Sequence, residues 1–259
     1  MGALHEGHAG LIRRARRLAG PHGSVVVSIF VNPTQFGPKE DLSKYPRPFA
    51  QDQALCRKEG VNLLFHPTAD EMYLSDASVA VREKELSQGF CGASRPGHFD
   101  GVCTVVAMLF NIIRPDVSVF GEKDWQQLAV IRRMVRDLRI PIKIAGHPTV
   151  REEDGLAMSS RNRLLTTEAR RDAPRIYQAL RTVAMEAEDG EDSVARLCAN
   201  LKKDLLAIPG ASLDYVGIVN QETLAPLKKL LPSACARALV AVRLGSVRLI
   251  DNLPIPSSR

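Results

Sequence analysis

The stretch Val25-Val26-Val27-Ser28-Ile29-Phe30-Val31 is a nearly unbroken apolar, β-branched run that stops at Asn32-Pro33. A strand with one wet face alternates polar and apolar residues, so a run like this suits a strand covered on both faces, as in a parallel sheet flanked by helices. Its surroundings agree. Upstream, Leu11, Ile12, Ala15, Leu18 and Ala19 recur at helical spacing after Gly7. Downstream, a polar loop from Thr34 to Asp41 leads to a helix expected over about 47–59 and a short apolar run from Val61 to Phe65. Residues 86–101, rich in Gly, Ser and Pro, read as a long loop. Then Val102, Val105, Val106, Leu109, Phe110 and Ile113 form one helical stripe, Val117 to Phe120 a buried strand, Leu128, Ile131, Val135 and Leu138 a second stripe, and Ile142 to Ala145 another strand. Arg132, Arg133 and Arg136 fall on the solvated side of that second helix. Strand and helix alternate over residues 1–150, which predicts an α/β fold with a parallel sheet.

Beyond Val150 the pattern changes. A polar hinge, Arg151 to Asn162, precedes helical patterns over roughly 167–188 and 191–207 and three strand-like runs, Leu213 to Val219, Ala238 to Val242 and Val247 to Ile250. Helices followed by strands, without alternation, predict a smaller C-terminal α+β domain over residues 151–259.

A net charge of +6 suits an anionic ligand, but no stripe of Lys and Arg with interleaved aromatics is present, and only 5% of residues are aromatic. A nucleic-acid partner is therefore not expected. No apolar run approaches the ~20 residues of a membrane span, and nothing near Met1 reads as a signal peptide, so no membrane association is expected. Cys56, Cys91, Cys103, Cys198 and Cys235 are odd in number and never paired as C-x-x-C, which points to a reducing compartment and a cytoplasmic location.

The candidate chemistry gathers in a few polar segments. In Met1-Gly2-Ala3-Leu4-His5-Glu6-Gly7-His8 the two histidines sit three apart at the expected start of a helix, where N–H groups and the macrodipole favour an anion and glycines allow close approach. Zinc-binding helices space their histidines at i and i+4 instead, and His22, His66, His98 and His147 are scattered among turns. Asn32 with Gln35, and Lys123 with Asp124 and Gln127, each follow an apolar strand, at the end where α/β sheets bind ligands. Each segment alone is ordinary turn chemistry. Together they predict a crevice between the two domains suited to reaction at the α-phosphate of ATP. Lys123 supplies a point charge, His5 and His8 donors, and Met158-Ser159-Ser160-Arg161 two hydroxyls and a guanidinium, with magnesium held partly by the phosphates. Gln35 and Gln127 both donate and accept, which suits a small hydroxylated substrate better than a phosphate.

These segments carry a resemblance. The chain resembles the pantothenate synthetases, ATP-dependent ligases that join pantoate to β-alanine, through Met-Gly-Ala-Leu-His-Glu-Gly-His at 1–8, Phe-Val-Asn-Pro-x-Gln-Phe at 30–36, Arg-Pro-x-His-Phe-x-Gly-Val at 95–102, Gly-Glu-Lys-Asp-x-Gln-Gln at 121–127 and Asp-Gly-Leu-Ala-Met-Ser-Ser-Arg-Asn at 154–162. Leu249-Ile250-Asp251-Asn252 extends the likeness more loosely into the tail. The resemblance implies that Met1, Gly2, Ala3, Leu4, His5, Glu6, Gly7 and His8 bind ATP, with His8 donating a proton and His5 on the phosphates. Gly121, Glu122, Lys123, Asp124, Val150, Met158, Ser159, Ser160 and Arg161 complete the ATP site. Lys123 is on the phosphates, and Asp124 is a candidate ligand for the magnesium that they carry. Gln35, Gln127 and Asn32 hold pantoate, with Gln35 also near β-alanine.

The resemblance further implies a Rossmann-like nucleotide-binding domain over residues 1–150, a homodimer and a pantoyl-adenylate intermediate. A mixed anhydride hydrolyses easily, so the site must exclude water, and the loop at 86–101 and the second domain are the candidates for that closure. Two departures stand out. The family has a Thr-Pro and the first strand of the sheet before the stretch that opens this chain, so a sheet without its central strand and an α-amino charge near the nucleotide are expected. Trp125 stands where the family more often has Tyr or Phe. Two other readings fit less well. A nucleotidyltransferase with a phosphorylated acceptor would favour Lys or Arg at positions 35 and 127, and a basic RNA-binding protein would need the missing cationic stripe.

Overall fold

The computed structural model describes residues 1–37, 42–231 and 235–256. Pro38 to Asp41, the second half of the expected polar loop, lie outside the described residues. The chain divides into two compact units, Met1–Glu122 with Gln126–Pro148, and Lys123–Trp125 with Thr149–Arg259.

The first unit contains α1 (Glu6–Ala19), β1 (Val26–Ser28), α2 (Phe49–Lys58), β2 (Leu63–Phe65), the short α3 (Ala69–Met72) and α4 (Cys91–Ser94), α5 (His98–Ile113), β3 (Val117–Gly121), most of α6 (Trp125–Asp137) and β4 (Lys143–His147). The pairing is parallel, as the apolar runs predict, but it comes as two separate two-stranded pieces. In one, β1 pairs with β2 from Val26↔Leu63 to Ser28↔Phe65; in the other, β3 pairs with β4 from Val117↔Lys143 to Gly121↔His147. Strand β1 is shorter than its apolar run. Past Ser28, the Ile29 N–H still donates to Phe65 O, while Phe30 N–H donates to the Met1 carbonyl and the Met1 ammonium to Ser28 O. Pro33, with no N–H, ends the run. One small core joins Leu4 just before α1, Ile12 of α1, Val25, Val27 and Ile29 in and beside β1, and Cys56 of α2.

Residues 86–101 are more ordered than a loop. They include α4, and α5 begins at His98, a full turn before its apolar stripe. Gly97, at φ +81°, makes the sharp entry that a side chain would resist.

In the second unit, α7 (Thr167–Asp172), α8 (Arg175–Glu188) and α9 (Val194–Leu206) accompany the antiparallel sheet β5 (Ala211–Asn220), β6 (Ala236–Leu244) and β7 (Val247–Ile255), ordered β5-β6-β7. The helical pattern over 167–188 is broken in two at Pro174, which cannot donate to the preceding turn. Leu197, Leu201 and Leu205 recur every fourth residue on α9 and are fully buried against Ile176, Leu180 and Val183 of α8 and alternate residues of β6, Ala236 to Leu244. Truncating one such leucine to alanine costs about 2–5 kcal/mol, so this core dominates the unit's stability. Among the described residues no helix is long and apolar enough to cross a membrane.

Candidate active site

In the first unit, α1 starts from His5, whose extended backbone makes it the N-cap. The cap is a box built from two histidines. Gly7 N–H donates to His5 Nδ1 (3.2 Å), and His5 N–H donates to His8 Nδ1 (3.2 Å). Serine and glutamate usually fill these places. With both Nδ1 atoms accepting, a neutral imidazole must carry its proton on Nε2, so the box sets the tautomer of both rings. The ring centroids lie 4.1 Å apart at a helix N-terminus.

The turn before the cap is held from α2. Ala3 N–H and Leu4 N–H donate to the two oxygens of Asp52, at 2.9 and 2.6 Å. Asp52 is 2% exposed. Ala3 occupies the left-handed region at φ +49°, which costs a non-glycine residue about 1–2 kcal/mol. The carboxylate's two charge-assisted bonds offset that strain.

Asn32 and Gln35 come together in a turn at Pro33–Gln35 that Asn32 caps. Asn32 spends its side chain within the protein: Oδ1 accepts from Thr34 Oγ1 (2.9 Å) and Tyr73 Oη (2.7 Å), and Nδ2 donates to Gly101 O (3.0 Å) and toward Gln35 Oε1 (3.4 Å). Burial raises the Tyr73 hydroxyl pKa, and bonds to Thr34 and Asn32 pull it back, so Tyr73 stays a donor. The Gln35 carbonyl accepts from His98 Nδ1 (2.8 Å) and Arg95 Nη2 (3.3 Å), and His98 Nε2 accepts from Arg95 Nη1 (3.0 Å). The Arg-Pro-x-His motif therefore braces the Gln35 main chain. Gln127 is half-buried on α6. Its neighbour Gln126 is buried and pins the 86–91 segment, donating to Leu86 O and Gly89 O at 2.8 Å and accepting from Cys91 N–H at 2.9 Å.

Gly121 closes β3 opposite His147. Glu122 ends the first unit, and Lys123 and Asp124 belong to the second, where Lys123 Nζ lies 3.9 Å from Asp124 Oδ1. In the same unit Met158 N–H donates to Val150 O (3.0 Å), closing a hairpin whose tight turn uses Gly155 at φ +95°. Ser159 caps the turn over Ser160–Leu164, accepting from Arg161 N–H at 3.3 Å. Asn162 donates to Glu152 Oε1 (2.7 Å) and Ala157 O (3.1 Å), and Arg170 ties Glu152 to Asp154. The hinge is thus a cross-linked loop that holds Met158 to Arg161 in place.

A family model for pantoate-beta-alanine ligase matches residues 1–254. The chain belongs to the pantoate-beta-alanine ligase family. It is 52% identical over 255 residues to the pantothenate synthetase of Sphingopyxis alaskensis, covering 98% of this chain and 89% of the relative. It is 49% identical to that of Thermotoga petrophila, covering 97% and 88%. Among solved structures, pantothenate synthetase from Thermus thermophilus superposes with a TM-score of 0.94 at 49% identity, covering 99% of this chain and 91% of that one. Pantoate-beta-alanine ligase from Francisella tularensis, complexed with beta-gamma ATP and beta-alanine, gives 0.77 at 36% identity, covering 98% and 87%.

Within this ligase fold, Asp52, Gln126 and Asn252 were not singled out by sequence reasoning as site residues. Asp52 leaves a trace, since it stands four residues before buried Cys56 on the inward face of α2, where a lone carboxylate is unusual.

Proposed function

We propose that the chain condenses pantoate with β-alanine at the expense of ATP, giving pantothenate, AMP and pyrophosphate through pantoyl adenylate. Membership of the pantoate-beta-alanine ligase family supports the reaction. The observation that carries the site is the histidine capping box, which places two imidazoles at one helix start with the proton of each on Nε2. In the first step the pantoate carboxylate attacks the α-phosphate of ATP and the α–β bond breaks, so charge grows on the equatorial and leaving oxygens. His5 and His8 donate hydrogen bonds there from Nε2, and Lys123 adds a fixed positive charge. The Met1–His8 stretch, Gly121–Asp124, Val150 and Met158–Arg161 bind the nucleotide. In the second step the β-alanine amine attacks the acyl carbon, the acyl–phosphate bond breaks, AMP leaves and the amine loses a proton. Gln35 and Gln127 hold pantoate by donating and accepting, Gln35 also meets β-alanine, and Asn32 serves through the bracing of Gln35.

Among the described residues no group of three acidic, His or Cys side chains forms a metal cage. Magnesium carried on the ATP phosphates would find a protein ligand in Asp124, a half-exposed carboxylate. Bound there, the ion neutralises phosphate charge. A cytoplasmic homodimer completes the reading, the first supported by cysteines that stay as thiols among the described residues.

The test is ATP–pyrophosphate exchange with and without each acid. Exchange that requires pantoate but not β-alanine, with pantothenate formed only when all three substrates are present, is the expected result. AMP release that ignores pantoate would refute the adenylate.

A further inference from the structure

The tail motif Leu249 to Asn252 has no role in the reaction as derived so far. Asp251 and Asn252 are consecutive on β7, so their side chains leave opposite faces of the sheet, and both are buried. Asp251 interrupts the core row Val247, Leu249, Leu253, Ile255. Its carboxylate receives both ends of the Arg151 guanidinium, at 2.7 and 3.0 Å. Arg151 also donates to Gly155 O (3.1 Å) and lies 3.7 Å over the Tyr177 ring, so one face of β7 holds the base of the hairpin that leads to Met158.

On the other face Asn252 Nδ2 donates to the Lys123 carbonyl (2.9 Å), and its Oδ1 accepts from Arg237 Nη1. A guanidinium only donates and a carbonyl only accepts, so the amide orientation is fixed by its partners. The Arg237 guanidinium stacks 3.4 Å over Trp125, whose Nε1–H donates to Gln221 O at 2.8 Å. Lys123 follows the last paired residue of β3, Gly121, so its carbonyl lies beyond that ladder, and the asparagine amide receives it instead.

We infer that Asn252 is a positioning residue for Lys123, and that the Asp251–Asn252 pair fixes the Lys123 and Met158–Arg161 segments to one sheet. The inference rests on Lys123 being the phosphate cation. A lysine is a point charge on a flexible stem, so its aim depends on where its main chain is held.

The test is a double-mutant cycle. Asn252→Asp keeps the acceptor for Arg237 but replaces the donor to the Lys123 carbonyl with a carboxylate oxygen, breaking that bond. Expected is a loss of about tenfold or more in kcat for pantoate-dependent pyrophosphate exchange, with the KM for β-alanine unchanged. In a Lys123→Ala background the same change should cost less than about twofold, because a residue acting through Lys123 has nothing left to position. Asn252→Ser, shorter and uncharged, should give the same cycle should the aspartate fail to fold. Equal losses in both backgrounds, or full exchange in the Asn252 variants while Lys123→Ala is crippled, overturn the tether. Full exchange in Lys123→Ala instead overturns the phosphate reading of Lys123, and the inference falls with it.

Discussion

Asp52 Oδ1 lies 2.6 Å from the Leu4 amide nitrogen, so a carboxylate on α2 governs the turn that launches α1. Its second oxygen holds the left-handed Ala3. Asp52→Ala removes the acceptor, strands two buried N–H donors at a cost of about 1–3 kcal/mol each, and frees the turn ahead of His5. Urea unfolding should show that loss, and the KM for ATP should rise more than the KM for β-alanine. Asp52→Asn should lie between the wild type and Asp52→Ala, since one oxygen survives while an amide N–H faces a backbone N–H. A KM for ATP that stays constant while stability falls would reduce Asp52 to a fold residue.

Much of this arrangement was legible in the sequence because it is periodic or local. The Val25–Val31 run announced parallel strands, and helices followed by strands without alternation beyond Val150 announced a separate α+β unit. Gly7 and the apolar stripe after it placed His8 near a helix start, where it sits at the third helical position. Contacts between segments far apart in sequence were not legible. Nothing in the local pattern around Asp52 names Leu4 as its partner, and nothing near Asn252 points to Lys123, 129 residues away. The start of α5 at His98 was missed for a different reason. Its first turn carries Gly101 and polar residues whose partners, such as the Gln35 carbonyl, come from another segment, so no apolar period marks it.

The histidine box makes capping and catalysis separable. Glutamine at the third helical position reaches back to the N-cap amide as well as glutamate does, so His8→Gln keeps the acceptor for His5 N–H while losing the Nε2–H donor. Its stability should stay within about 0.5 kcal/mol of wild type, whereas His8→Ala should lose about 1 kcal/mol of cap energy. Both should lower kcat for adenylation by about 10²–10³, the usual cost of one preorganised donor. Wild-type turnover in His8→Gln would show that His8 matters only as a cap.

His147 sets a pH dependence on stability. Burial, then the Arg17 and Arg14 guanidinia, lower its pKa, with Glu122 opposing them. The unfolded chain, with a histidine pKa near about 6.5, therefore binds more protons in this window, and stability rises with pH. The contribution is complete above the unfolded value and is lost as pH falls through the lower folded one. His147→Gln should flatten the change in urea midpoint between about pH 7.5 and pH 5.5, and an undiminished slope would assign it to other groups.

Gly101 gives the sharpest test of the pantoate end of the site. A Cβ there would meet Thr34 O at 2.4 Å and Gln35 N at 2.7 Å, both main-chain atoms with little freedom to retreat. Gly101→Ala must therefore push α5 away from the Pro33–Gln35 turn and stretch the bond from Asn32 Nδ2 to the Gly101 carbonyl. Overpacking of this kind costs about 1–3 kcal/mol, readable as a lower urea midpoint. The same shift displaces Gln35, so the KM for pantoate should rise by about tenfold, equivalent to about 1.4 kcal/mol, while the KM for ATP holds. The His98 and Arg95 bonds to the Gln35 carbonyl anchor the turn from the same helix entry, so they move with α5 and cannot restore the original position. A variant that loses stability yet binds pantoate normally would remove Gln35 from the substrate site.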